Sequence, residues 1–262
     1  MNDDRGPSDL PSSRTLDDPW ADLRELTAAR IGLKRTGASL ATGPLLEFQL
    51  AHARARDAVH AALDEKRLVA DLAGLGAAVL AVVTAADDRQ RYLMRPDLGR
   101  RLTAQAEATL VPHAGRYDVA FVISDGLSAH AVEIHARPVL AALLPALRTE
   151  AWRVAPLVVV RHGRVAIGDA VAAALGAACV AVLIGERPGL TAPDSMGAYL
   201  TWQPRADTTD AERNCISNIR PEGIGYADAA FKLAHLLRAM RSRRVSGIAL
   251  KDDSNRLLIE RG

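Results

Sequence analysis

The chain has 262 residues, of which 24% are charged and 49% are hydrophobic, and its formal net charge is +2. This near-balance of charge excludes a nucleic-acid binder that relies on bulk positive charge, and the hydrophobic content excludes a self-repelling disordered chain. Two cysteines, Cys179 and Cys215, are too few for a disulfide framework and indicate a reducing compartment.

Neither a secretory signal nor a membrane span is expected. Residues 1–27 contain no apolar signal segment. The longest nearly apolar stretches, 72–86 and 171–185, are shorter than the roughly 20 residues that cross a bilayer. The sequence therefore predicts a soluble, cytoplasmic protein.

The first part of the chain is predicted to be mostly helical. Residues 1–19, which are rich in Asp, Ser and Pro, predict a mobile tail because they offer little apolar surface to bury. Residues 20–110 predict a helical region. Its expected helices are Leu45–Leu63, a helix or turn through Leu68–Leu75, and Asp97–Ala108, while Leu80–Thr84 fits either a short strand or a buried helix end.

From residue 111 the pattern changes to alternating strands and helices. The predicted elements are a strand at Asp118–Gly126, a helix at Ser128–Leu147 with a break at Pro138, a strand at Leu157–Val160, a helix at Gly168–Gly176, a strand at Cys179–Gly189, a helix at Tyr226–Ser242 and a last strand at Ser246–Leu250. Continuous apolar strands alternating with helices are typical of a parallel sheet. The predicted fold class is α/β, with a Rossmann-like parallel-sheet domain over 111–262 preceded by the smaller helical part.

A ligand site is expected where the three strands end. Ligands of open parallel sheets bind beyond the carboxyl ends of the strands. These ends carry Ser124-Asp125-Gly126, Arg161-His162-Gly163 and Gly185-Glu186-Arg187. The alternative is that these loops are polar only because they face solvent, and it remains open at this point.

Familiar catalytic and cofactor motifs are mostly lacking. The nearest match to a dinucleotide-binding loop, Gly74-Leu75-Gly76, has no third glycine, and the sequence has no Walker loop, CxxC pair or HExxH motif. A Ser-His-Asp triad stays open, since Ser124 and Ser128 stand at a strand end, although neither has the GxSxG context.

The two cysteines lie in contrasting surroundings. Cys179 stands inside an Ala- and Val-rich strand and is predicted to be a small buried apolar residue. Cys215 belongs to the polar segment Arg213–Gly223, which we interpret as a loop that contacts a ligand, with burial in a core as the alternative. Candidate donors and acceptors for such a ligand are Asn214, Ser217, Asn218 and Glu186.

Several longer blocks of sequence resemble one known family, the small (light) subunit of ethanolamine ammonia-lyase. These blocks cover most of the chain after residue 19. They are Ala29–His60, Asp88–Leu102, Val119–Val132, Val159–Asp169 (VVRHGRVAIGD), Leu183–Leu190 (LIGERPGL), Ser195–Pro204 and Asn214–Ala230 (NCISNIRPEGIGYADAA).

The resemblance implies a function in a two-subunit enzyme. Enzymes of this family convert ethanolamine to acetaldehyde and ammonia by a radical rearrangement that depends on adenosylcobalamin. The large subunit holds the substrate, and the small subunit contacts the cofactor at their interface, in an assembly with six copies of each. The cobalamin contacts of the family fall on Val165, Glu186 and Cys215, and no residue of this chain is expected to be catalytic or to bind a metal.

Three further points remain expectations. No Asp-x-His-x-x-Gly segment is present, so no histidine of this chain is expected to replace the lower base of the cofactor. Packaging in a bacterial microcompartment stays open, because residues 17–34 could form a short amphipathic helix. The competing functions are a stand-alone Rossmann-like enzyme and an interaction module without cofactor binding.

Overall fold

The computed structural model describes residues 20–27, 29–33 and 35–255, so the predicted tail at residues 1–19 lies outside the described part. Contacts divide the chain into two compact units, Met1–Ala51 and His52–Gly262. In the first unit, helix α1 spans Ala21–Glu25, and the short strands β1 (Arg35–Thr36) and β2 (Ser39–Leu40) pair antiparallel. Helix α2 (Thr42–His60) begins in the first unit and ends in the second.

The second unit is built on a six-stranded sheet. Its strands are β3 (Val79–Val83), β4 (Tyr117–Ser124), β5 (Leu157–Arg161), β6 (Ala177–Gly185), β7 (Met196–Trp202) and β8 (Arg213–Ile219). They lie in the order β3-β5-β4-β6-β7-β8. The first four in this order are parallel, and β7 and β8 extend the sheet in antiparallel pairing.

Helices cover both faces of the sheet. They are α3 (Glu65–Ala73), α4 (Arg89–Met94), α5 (Ala104–Leu110), α6 (Ala129–Thr149), α7 (Ile167–Leu175) and α8 (Tyr226–Arg243). Alternate strand residues face opposite ways, so Phe121 and Ile123 pack with α3, α6 and α8, while Ala120 and Val122 pack with α5 and α7. Among the described residues, no helix is both long and apolar enough to cross a membrane.

The predicted α/β class with a mostly parallel, Rossmann-like sheet is confirmed. The run that fitted either a strand or a helix end is strand β3, which pairs with β5 at one edge of the sheet. The sheet therefore takes a strand from within the predicted helical region. The domain boundary after residue 110 stays a prediction.

Three predicted elements were wrong. The helix at 97–108 is replaced by a 3-10 turn at Leu98–Arg100 and by α5, because Thr103 is extended and its Oγ1 accepts a hydrogen bond from Ala106 N as the N-cap. Helix α6 continues through Pro138 without the predicted break. The last strand is instead a 3-10 turn at Gly247–Ala249.

Candidate functional site

The turns after β4 and β5 are tied together by buried hydrogen bonds. Asp125, which follows β4, is 2% exposed, and its Oδ1 accepts a hydrogen bond from His162 N at 2.7 Å. Ser124 Oγ accepts one from Gly163 N at 3.1 Å. The two neighbouring strand ends therefore form one rigid unit.

The turn after β5 has a backbone conformation that needs this support. His162 has a φ of +60°, which is uncommon for a residue with a side chain. A Cβ on Gly163 would stand 2.6 Å from Ser124 Oγ, so glycine is required for the close approach. Arg164 N then donates to Gly99 O at 2.8 Å, which fixes the position of Arg164 and, after it, Val165.

A cavity of about 380 Å³ opens beside these turns. Its lining residues come from the turns after β4 and β5, from the end of β6, from β7 and from α4: Tyr92, Gly126, Leu127, Arg164, Val165, Ile184, Gly185, Glu186, Arg187 and Tyr199. Two of the three residues singled out from the sequence, Val165 and Glu186, thus line the same cavity, at the end of the sheet where the sequence predicted a ligand.

Glu186 is held by the antiparallel extension of the sheet. Its backbone N donates to Ser195 O at 3.0 Å, and its Oε2 accepts a hydrogen bond from Asn218 N at 3.1 Å. A Cβ on Gly197 would stand 2.9 Å from Glu186 Oε1. The carboxylate is therefore positioned by β7 and by the end of β8, and it keeps acceptor capacity for a ligand.

Cys215 lies on a strand, and the interpretation of its segment as a loop was wrong. It is an exposed residue of β8 and stands opposite Tyr199 of β7. Helices α6 and α8 pack against these two strands from one side, while Tyr199 and Cys215 face the other. Cys215 does not line the cavity itself, but it continues the same face of the sheet beyond Tyr199.

Two residues of the polar segment have structural roles that the sequence did not reveal. Asn214, a predicted ligand contact, is buried, and its Nδ2 donates to Leu250 O at 2.7 Å. Arg213 is also buried and forms a bidentate ion pair with Asp169, at 2.8 and 2.7 Å. This pair connects β8 to α7, the helix that follows Val165.

The sequence also missed an aromatic residue at the base of the cavity. Tyr92 of α4 has a fully buried side chain, and the Cζ of Arg164 lies 4.0 Å from its ring centroid. Arg89 lies on the same ring at 5.0 Å. The arginine-rich segment 88–102 gave no specific signal for this contact, because a charge-rich stretch more often forms a solvated surface.

The geometry argues against a Ser-His-Asp triad at the end of β4. Ser124 Oγ is buried and bonded to Asp125 and Gly163, and Ser128 Oγ donates to Pro193 O at 3.2 Å. Within the described ranges, no group of three or more His, Cys, Asp and Glu side chains could hold a metal ion. Both hydroxyls serve the structure of the turn.

The two thiols are expected to differ sharply in reactivity. Cys179 is fully buried and its Sγ donates to Asp118 O, whereas Cys215 is exposed. Partial desolvation of the sulfur raises the pKa of the Cys215 thiol, a hydrogen bond from Tyr199 opposes this shift, and the Glu186 carboxylate adds to it. Iodoacetamide should therefore modify only Cys215 in the native chain, and the rate should rise with pH with a midpoint above the ordinary thiol value of about 8.5.

Intact mass after alkylation checks this prediction, with the urea-unfolded chain as the control in which both thiols react. Modification of Cys179 in the native chain, or a midpoint below the ordinary value, would contradict the described environments.

Comparison with known proteins assigns the family. The family model described as "Ethanolamine ammonia-lyase light chain (EutC)" matches residues 17–251. A protein of Ralstonia nicotianae named ethanolamine ammonia-lyase small subunit is 50% identical over 266 residues, which cover 100% of this chain and 97% of that protein. Proteins of the same name from Xanthomonas campestris pv. campestris and Pseudomonas putida are 52% and 51% identical, each over 92% of this chain and 90% of their own length. The chain therefore belongs to the family of ethanolamine ammonia-lyase small subunits.

Proposed function

We propose that this chain is the small subunit of an ethanolamine ammonia-lyase that converts ethanolamine to acetaldehyde and ammonia together with a large subunit. We also propose that Val165, Glu186 and Cys215 contact adenosylcobalamin. The observation that carries this proposal is that Val165 and Glu186 line one cavity together with Tyr199, and that Cys215 stands opposite Tyr199 on the same face of the sheet.

The chemistry of the cavity suits one side of a corrin. The rim of a corrin carries neutral amides, which need both hydrogen-bond donors and acceptors. The Glu186 carboxylate supplies acceptors, the Tyr199 hydroxyl supplies a donor, and Val165 supplies an apolar contact. A cavity of about 380 Å³ is too small to enclose a cobalamin, so a second wall from a partner is needed.

In this proposal the chain binds and orients the cofactor but performs no bond-breaking step. Adenosylcobalamin, when bound, supplies the radical chemistry of the rearrangement. The described part of the cavity holds no histidine or cysteine among its lining residues, so the lining offers no general base of ordinary neutral pKa. The contribution of this chain is to fix the position of the cofactor and to exclude water from one side of the corrin.

The histidine in the turn after β5 makes contacts within the fold. His162 Nδ1 lies 3.0 Å from Ala86 O, and its ring stacks on Tyr92 with a centroid distance of 5.9 Å. These contacts hold the imidazole within the fold, in keeping with the expectation that no histidine of this chain would replace the lower base of the cofactor.

Assembly and location follow from the family resemblance. We propose a hetero-oligomer with the large subunit, with six copies of each chain, located in the cytoplasm. Exposed apolar side chains of α2, such as Leu46 at 58% and Leu50 at 52%, are compatible with burial by a partner. Packaging in a microcompartment remains a separate proposal, tested by the location of a tagged enzyme complex.

Coexpression with the matching large subunit tests the function. Acetaldehyde should form only when both chains and adenosylcobalamin are present. Turnover by this chain alone would instead favour a stand-alone enzyme, and failure to bind either the large subunit or cobalamin would refute the proposal.

Glu186→Gln and Cys215→Ala are expected to weaken cobalamin binding to the complex while leaving the fold intact. Glu186→Gln replaces a charged acceptor by a neutral one and is expected to raise the Kd for cobalamin about tenfold. Cys215→Ala removes only a thiol group and should raise the Kd less. Absorbance titration of the complex measures both values. Glu107→Gln, an exposed glutamate of α5 outside the cavity, serves as the matched control. Wild-type affinity in both site variants would contradict the assignment of these residues.

A further inference from the structure

Two arginines of the cavity carry charges that no carboxylate of the described chain neutralises. Arg164 and Arg187 both line the cavity, and neither forms an ion pair with a described residue. Other arginines of the same unit are paired: Arg213 with Asp169, and Arg153 with Asp118. The cavity therefore combines two uncompensated cations with the single carboxylate of Glu186.

Arg164 is held in place by contacts that leave its charge without compensation. Its guanidinium stacks on Tyr92, and its Nη2 donates to Tyr92 O at 3.0 Å. Its Nε is buried without a hydrogen-bond partner in the described structure. Tyr92 is in turn fixed, since its hydroxyl donates to Gly163 O at 3.3 Å. A cation that is fixed before the ligand arrives loses little entropy when an anion binds.

This pattern of charge matches one feature of the proposed cofactor. The side chains on the corrin rim are neutral amides, whereas the nucleotide loop carries a phosphodiester, which is the only anionic group at the periphery. A guanidinium suits a phosphate because it offers several donors in a planar arrangement. Glu186 would repel a phosphate but accepts hydrogen bonds from amide N–H groups, so the two kinds of charge serve different parts of one ligand.

We infer that Arg164, assisted by Arg187, binds the nucleotide-loop phosphodiester and makes the site selective for complete cobalamins. This inference rests on the proposed function, because it assigns a part of the same cofactor to these residues. It predicts that the chain distinguishes cobalamin from cobinamide, which keeps the corrin and its amides but lacks the nucleotide loop and its phosphate.

Equilibrium binding to the complex with the large subunit tests the inference. Cyanocobalamin and cobinamide are each titrated by their corrin absorbance, with wild type, Arg164→Gln, Arg164→Lys and Arg187→Gln. We expect Arg164→Gln to weaken cyanocobalamin binding by about ten- to a hundredfold and to leave cobinamide binding nearly unchanged. Arg164→Lys should recover part of the loss, and Arg187→Gln should show a smaller loss with the same selectivity. Arg100→Gln is the matched control, an exposed arginine outside the cavity that forms no ion pair with a described residue.

The outcomes separate this inference from the proposed function. Equal weakening of both corrinoids by Arg164→Gln would overturn it, because the arginine would then only position its turn. Should Arg164→Gln fail to assemble, Arg187→Gln decides, and an unchanged ratio of the two affinities in that variant overturns the inference. If the wild-type complex binds neither corrinoid, the proposed function itself fails.

A further arm tests the source of the phosphate. Inorganic phosphate should compete with cyanocobalamin in the wild type but not with cobinamide. Competition that weakens both corrinoids alike would mean that the arginines bind a free anion rather than the nucleotide loop, and would overturn the assignment.

Discussion

Replacing Asp169 by alanine is expected to lower the free energy of unfolding by about 3–5 kcal/mol, because it removes the only buried carboxylate that pairs with Arg213 in the described structure. The second carboxylate near Arg213, that of Asp210 at 3.6 Å, is almost fully exposed and compensates the buried charge poorly. The side chains of Asp169 and Arg213 are 9% and 3% exposed, and their ion pair is bidentate, at 2.7 and 2.8 Å. Thr201 Oγ1 accepts a further hydrogen bond from Arg213 at 3.0 Å but cannot balance the charge.

The same substitution should also disturb the candidate cofactor site. Asp169 lies in the first turn of α7, the helix that begins two residues after Val165. Arg213 stands two residues before Cys215 on β8. The ion pair therefore fixes the helix that follows Val165 relative to the strand that carries Cys215. We expect Asp169→Ala to raise the Kd for cobalamin in the complex, even though neither residue lines the cavity.

Urea unfolding of the full chain, followed by tryptophan fluorescence, measures the loss of stability. Asp207→Ala is the matched control, because its ion pair with Arg205 is exposed and should contribute less than about 1 kcal/mol. The double replacement of Asp169 by leucine and Arg213 by methionine should regain much of the stability, since it leaves no buried charge unpaired. A loss below about 1 kcal/mol for Asp169→Ala would show that the pair is not desolvated in solution.

The centre of the sheet was predictable because burial on both faces leaves a continuous apolar run. Strands β4 and β6 are such runs, and the loops that follow them were located by the rule that parallel strands bind ligands at their carboxyl ends. The placement of Glu186 beyond β6 follows from the same rule. Strand β3 was ambiguous, because a short apolar segment fits a helix end equally well.

The antiparallel extension was not predictable from local pattern. Strand β8 alternates buried Asn214 and Ile216 with exposed Cys215 and Ser217, and its polar composition resembles that of a loop. Only the tertiary structure shows that Asn214 is satisfied by the carbonyl of Leu250. The position of Cys215 on the open face of the sheet therefore became apparent only from the pairing of β7 with β8.

Long-range contacts also explain the remaining errors. Helix α6 passes through Pro138 because the buried side chains of Val139, Leu140 and Leu143 hold it against the sheet, while the carbonyl of Ile134, which loses its partner, lies on a partly exposed turn. The stacking of Arg164 on Tyr92 joins residues that are distant in sequence, and no spacing rule connects them.

Gly185→Ala is expected to disrupt the candidate site from within the sheet. A Cβ on Gly185, the last residue of β6, would stand 2.0 Å from Ser128 O and 2.6 Å from Asp125 O. Both obstacles are backbone atoms, so no side-chain rotation can relieve the clash. We expect a loss of about 3 kcal/mol in the free energy of unfolding, at the upper end of the cost of overpacking.

Gly185→Ala should also weaken cobalamin binding, because two parts of the site depend on the close packing of Gly185 against the turn after β4. Glu186 follows Gly185 directly, and the displaced turn contains Asp125, whose carboxylate holds His162 and thereby the turn that leads to Val165. We expect cobalamin binding to the complex to weaken at least as much as in Glu186→Gln. Gly225→Ala is the matched control, since no atom lies within 4 Å of the added Cβ and its φ of −61° suits any residue. Thermal unfolding measures the stability of both variants, and absorbance titration of the complexes measures their affinity for cobalamin. Wild-type affinity in Gly185→Ala would refute the close packing of this turn on the end of β6.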